Sequence, residues 1–204
     1  MSTAKHWKEN LAHIAPCQHL VQISHDPEAL AEITAHFLRD GVIAEEGVLL
    51  IVSLAQRELI AKRLAVIGFD LNVWDRSGQV VVLDSAAALA RLRPKGELAW
   101  PLFAQVVGGI LRDMRKHHSA IRVYGDMVNL LWQAGERRAA IRLEGFWNTL
   151  NNEIPFVLLC AYLIDNLDPQ TYATDFEHMC SAHTHLIPAN DYHEMEASLK
   201  FAEH

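Results

Sequence analysis

Ala120-Ile121-Arg122-Val123-Tyr124-Gly125-Asp126-Met127-Val128, followed after a helical interval by Pro155-Phe156-Val157-Leu158-Leu159-Cys160-Ala161-Tyr162, is the stretch that decides the fold. Two apolar β-rich runs with enough helix between them to cross over make a βαβ unit of a parallel sheet. Asp126 falls just past the first run, and Cys160 and Tyr162 fall near the end of the second. Open α/β sheets bind their ligands at that carboxyl edge. The edge is therefore where a functional site is expected.

Working outward, the interval breaks near Gly135 into Val128 to Ala134 and Arg137 to about Asn151. Leu143, Phe146, Trp147 and Leu150 make the inward stripe of the second piece. Cys17 to Ser24 reads as the first strand, with His19, Val21 and Ile23 on one face and Leu20, Gln22 and Ser24 on the other. Asp26-Pro27 opens a helix to about Asp40, which Gly41 is expected to end. Gly47 to Ser53 is a continuous apolar run, as in a strand covered on both faces. Gln56 to Ile67 is an amphipathic helix. Leu71 to Trp74 and Gln79 to Leu83 read as two short strands around Arg76-Ser77-Gly78. Asp84 or Ser85 caps a short helix through Leu92, and Trp100 to His117 is a long helix. Thr171 to His183 reads as a last helix, and Leu186-Ile187-Pro188 as an edge strand. There is no repeat and no low-complexity linker, so one α/β domain is expected, between an N-terminal segment (1–15) and a C-terminal tail (193–204).

Composition narrows the function. The chain has 204 residues, half of them hydrophobic, and a net charge of -7. That length buries a sizeable core. The acidic balance argues against a nucleic-acid footprint. The three cysteines, Cys17, Cys160 and Cys180, are an odd and sparse set that suits reduced thiols in the cytoplasm. No secretory leader and no membrane-spanning run is read.

Nucleotide hydrolysis needs GxxxxGK[ST], whose backbone amides cradle phosphates. The turn after the first strand is His25-Asp26-Pro27-Glu28. It has two carboxylates and no lysine, and Pro27 removes a donor. Asp126 reads equally as a helix N-cap or as a metal ligand or base. His19, in an apolar strand, reads first as a structural histidine. Cys180-x-x-His183 with Cys160 is a metal- or haem-type set, against the plainer reading of a buried thiol and a helix-end histidine. Trp132, Phe146, Trp147 and Tyr162 are the aromatic walls of the best pocket candidate.

Together these residues resemble a known family. Gly125-Asp126-Met127-Val128-Asn129-Leu130-Leu131-Trp132-Gln133-Ala134-Gly135 is similar to the GEMVxLLWxxG motif of the MEDS domain, the methanogen/methylotroph sensory domain. Ala139-Ala140-Ile141-Arg142-Leu143-Glu144 with Trp147-Asn148, Leu158 to Tyr162, and Met179 to His183 continue the likeness, as do His19, Gly41 and Gly68 upstream. It covers about residues 16–192. Asp126 stands where the family usually has Glu, Leu163 where it has Pro, and Thr184 where it has Ser. The resemblance implies a mostly parallel, three-layer RecA-like α/β sandwich that has lost its Walker A loop. It also implies a sensory, ligand-binding role in signal transduction, of the kind attached elsewhere to transcription regulators or histidine kinases.

The expectation is a non-catalytic cytoplasmic module that binds a small, largely apolar ligand at the strand edge. His19, Asp126, Trp132, Glu144, Trp147, Cys160, Tyr162 and His183 are its ligand-binding residues, and no metal ligand is assigned. Its output passes through a partner protein, a histidine kinase or transcription regulator, with no direct nucleic acid and no membrane; a homodimer is compatible. No cofactor is identified. The alternatives are a metal- or haem-type sensor using Cys160, Cys180 and His183, and a degenerate nucleotide-binding adaptor.

Overall fold

The run Gly47–Val52 has no polar side chain, and all six of its residues are buried. Such a strand is stable only with a layer on each face, and it gets both. The computed structural model describes residues 14–15, 17–164 and 181–187. In it β1 (His19–Ser24), β2 (Gly47–Val52), β3 (Val80–Asp84), β4 (Ile121–Gly125), β5 (Val157–Leu163) and β6 (His185–Ile187) form one sheet in the order β3-β2-β4-β5-β1-β6. Every pairing is parallel.

Helices α1 (Pro27–Ile43), α2 (Leu54–Val66) and α3 (Leu71–Ser77) cover one face. Helices α4 (Ser85–Leu92), α5 (Trp100–Met114), α6 (Met127–Gln133) and α7 (Arg137–Glu153) cover the other. The result is a three-layer sandwich of one domain. Phe37, Leu38, Ile60 and Leu64 fill the first interlayer space, and Phe103, Val107, Leu143, Trp147 and Leu150 fill the second. Each such side chain contributes about 1.5–3 kcal/mol on burial. Among the described residues no helix is long and apolar enough to cross a membrane.

Two expectations are corrected. Leu71 to Trp74 is helix, not strand. Asp70 Oδ1 accepts from Asn72 N at 2.8 Å as an N-cap, and Gly78 closes the helix at φ 79°. Leu71 and Trp74 are buried while Val73 is 50% exposed, which is a helical period and not alternation. Gly41 does not end α1 but lies inside it. A Cβ there would stand 2.7 Å from Arg122 Cδ, so the glycine makes room for a buried arginine. Arg122 donates to Glu46 Oε2 at 2.5 Å and lies over the Phe37 ring.

The β1 alternation holds, and it matters for the site. His19, Val21 and Ile23 point to the face covered by α7. The register sets Val21 beside Cys160 and Ile23 beside Tyr162. The expected helix at 171–183 lies mostly outside the described residues, as do most of the N-terminal segment, the C-terminal tail and Pro188.

Candidate functional site

Two of the polar groups on the inward stripe of α7 build the site. Glu144 and Asn148 are four residues apart, on the face that also buries Ala140, Leu143, Trp147 and Asn151. They project toward β1 and β5, where His19 and Cys160 point back at them. The stretch before β6 supplies His183. Thr184 holds that stretch in place: its N–H donates to the His19 carbonyl at 2.7 Å, and its Oγ1 accepts from His19 N at 2.9 Å.

The hydrogen bonds orient the histidine. Asn148 Nδ2 donates to the Ala182 carbonyl at 3.0 Å. A carbonyl can only accept, so the amide oxygen of Asn148 faces the other way. It lies 2.8 Å from His19 Nδ1, which must therefore carry a proton. His19 Nε2 is then directed at Cys160 Sγ, 3.2 Å away, and at Glu144 Oε2, 3.3 Å away. Cys160 Sγ is 3.4 Å from the same carboxylate oxygen. The Tyr162 hydroxyl donates to Glu144 Oε1 at 2.6 Å, and His183 Nε2 stands 3.3 Å from that oxygen. The His19 and His183 rings are 4.1 Å apart.

These groups have almost no water. The side chains of His19, Glu144 and His183 are at most 2% exposed, and Cys160 and Tyr162 are fully buried. Burial alone would raise the Glu144 pKa. The adjacent imidazoles, His183 first and then His19, outweigh it and hold the carboxyl well below the usual range. Burial, and then the Glu144 charge, push the Cys160 thiol and the Tyr162 phenol up.

The model of the family described as MEDS, the MEthanogen/methylotroph, DcmR Sensory domain, matches residues 18–184. The chain belongs to this family. It is a sensory domain, and its role is in sensing and signalling. No curated protein shows significant similarity to it. The matched span begins beside His19 and ends at Thr184, so the whole polar cluster falls inside the MEDS domain.

A second polar locus of the MEDS domain lies at the carboxyl edge of the sheet. Asp126 follows β4, and its N–H donates to the Ile51 carbonyl at 3.1 Å. Its side chain does not cap α6. Instead Oδ2 accepts from Ser53 N at 2.9 Å, which ties the end of β4 to the end of β2. Oδ1 and the nearby Ser85 Oγ are buried without a hydrogen-bond partner among the described residues. Burial raises the Asp126 pKa; the Ser53 N–H and then the Ser85 and Ser53 hydroxyls oppose that, and Asp84 adds to it.

The eight residues therefore divide. His19, Glu144, Cys160, Tyr162 and His183 come together; Asp126 stands apart at the edge. The cluster is not at the carboxyl edge as expected: His19 is the first residue of β1 and Cys160 is central in β5. Trp132 meets the Tyr162 ring edge-on at 5.5 Å, with the Arg137 guanidinium 4.9 Å over its own ring. Trp147 is core: it packs on Phe103 at 4.9 Å and is fully buried. Cys180 lies outside the described residues. Sequence reasoning missed Asn148 and Thr184 as site residues. The available signal for Asn148 was a polar side chain one turn beyond Glu144 on the inward stripe of α7.

Proposed function

We propose that this MEDS domain receives its signal at the Glu144 cluster and passes it to a partner protein without catalysis. The observation that carries the reading is an ionised carboxylate buried under α7 between two imidazoles. A core gains nothing from such groups over apolar packing of the same volume, and their convergence from four chain segments argues for recognition. The ligand is a small, largely apolar molecule with one polar end. That end meets Glu144, Tyr162 or the imidazoles, and the Trp132–Tyr162 pair offers an apolar wall beside them. The free thiol of Cys160 suits a cytoplasmic protein. The partner is a histidine kinase or a transcription regulator.

The turn after β1 supports a role without ATP hydrolysis. Asp26 Oδ1 accepts from Glu28 N at 2.9 Å, so the chain's own carboxylate takes the helix-terminal position that a phosphate would occupy.

Thermal-shift measurements with short-chain alcohols, amines and halogenated alkanes test the reading. A ligand at about 100 times its Kd stabilises by about 2.7 kcal/mol, a readable shift. At least one compound is expected to raise the Tm of the wild type and lose that effect in Tyr162→Phe. A flat response across the panel, or equal shifts in both proteins, refutes it.

A further inference from the structure

The geometry points to a four-ligand site for a zinc-class divalent cation, formed by His19 Nε2, Glu144 Oε2, Cys160 Sγ and His183 Nε2. It rests on the reading of this cluster as the reception centre and names what the centre holds.

The first argument is spacing. The ligand atoms all lie within 4.8 Å of one another. Three of the separations are 3.2, 3.3 and 3.4 Å. Zinc bonds of ordinary length to N, O and S, set tetrahedrally, put ligand atoms about 3.3–3.6 Å apart. Those three edges are close to these lengths, and His183, whose Nε2 stands 3.3 Å from Glu144 Oε1, supplies the fourth ligand within the 4.8 Å limit.

The second argument is the tautomer. Asn148 fixes the proton on His19 Nδ1, so the free lone pair of the neutral ring is on Nε2. In that form the lone pair faces a carboxylate oxygen 3.3 Å away, a pairing that is satisfied by a proton or by a cation held between the two atoms. A cation there bonds to both. An imidazole whose far nitrogen donates to a side-chain or backbone oxygen is the usual support for a metal ligand. Tyr162 supports the carboxylate in the same way.

The third argument is charge. Binding displaces the Cys160 thiol proton to solvent, leaving a thiolate. Thiolate and carboxylate then balance the two positive charges of the ion, so the buried site is neutral. One sulfur, two imidazoles and one carboxylate form a borderline donor set, which excludes magnesium and calcium and suits zinc or cobalt. All four positions come from the protein, as in a structural rather than an open catalytic site. The ion would tie the β6 stretch to α7, β1 and β5 through His183.

The test uses the full chain without a tag, stripped with a chelator and titrated with Co²⁺. Stoichiometric uptake is expected, with the strong visible bands of tetrahedral cobalt and a near-ultraviolet thiolate-to-cobalt band. Zn²⁺ should displace the cobalt and raise the Tm. Cys160→Ser should lose the thiolate band, and Tyr162→Phe should bind about 10–100-fold more weakly. If Glu144→Gln does not fold, the wild-type titration and these two variants still decide. No stoichiometric uptake by the wild type, or a thiolate band that survives Cys160→Ser, overturns the site. The reception reading is judged separately, by the organic panel on stripped and metal-loaded protein.

Discussion

Glu144 and Asp126 are both carboxylates with at most 2% exposure, yet they are driven in opposite directions. Asp126 has one backbone N–H on Oδ2 and the hydroxyls of Ser53 and Ser85 nearby, with no cationic group beside it among the causes of its shift. Burial dominates there, and its carboxyl is pushed up. Glu144 has two imidazoles, a phenol and a thiol around it, and its carboxyl is pulled down against the same penalty. Depth does not decide the charge of a buried acid. The neighbours do, and here they divide the molecule into an interior centre that holds charge and a sheet edge that resists it.

The largest expected effect comes from breaking that contrast at its charged end. Glu144→Gln leaves two imidazoles without their counter-charge, and loss of one partner from a buried pair costs about 3–5 kcal/mol. Urea unfolding of the metal-free protein checks this. A loss below about 1 kcal/mol, the size of an exposed pair, would make the cluster no more important than the surface. Tyr162→Phe removes one hydrogen bond to a charged oxygen, expected at about 1.5–3 kcal/mol by the same measurement. Gly41→Ala tests the third buried charge, Arg122. Its new methyl meets Arg122 Cδ at 2.7 Å and should cost about 1–3 kcal/mol, as overpacking does.

How far these sites were legible in sequence differs with their chemistry. β2 and α7 were readable because apolar runs and 3.6-residue stripes are local. α3 was misread because Val73 and Trp74 are good strand formers; only the pairing of buried Leu71 with buried Trp74, and Asp70 as cap, mark a helix. Gly41 was read as a stop because a glycine's need for space is visible only against Arg122, which lies on another element. The cluster was legible as a set of residues, through the family motifs, but not as a centre. His19 is 129 residues from Asn148 and 141 from Cys160, and no spacing rule spans such distances. The carboxyl-edge rule drew attention to Asp126 and away from the layer between sheet and helix.

The smallest effect sharpens the contrast from the other end. Asp126→Asn keeps an oxygen for Ser53 N–H and should change stability by less than about 1 kcal/mol at neutral pH. Its pH dependence is the better measure. A raised folded pKa means that the folded chain keeps the proton longer than the unfolded one. The stability this gives is complete below the unfolded pKa, about 3.9, and is lost as pH rises through the folded value. Tm followed upward from about pH 4 should therefore fall for the wild type relative to Asp126→Asn. Glu144 has the reverse sign: its contribution is present above the unfolded pKa and is lost as pH falls through the depressed folded value. A wild-type Tm that rises with pH relative to Asp126→Asn would place Asp126 in the same class as Glu144, and parallel curves would mean that burial does not shift its carboxyl at all.

The Thr184 latch joins residues 165 positions apart in the chain. Thr184 is polymerised 165 positions after His19, and after α7 and β5 have been made. Until then the latch cannot form. The order of synthesis thus makes enclosure of this centre a late event in the molecule's life.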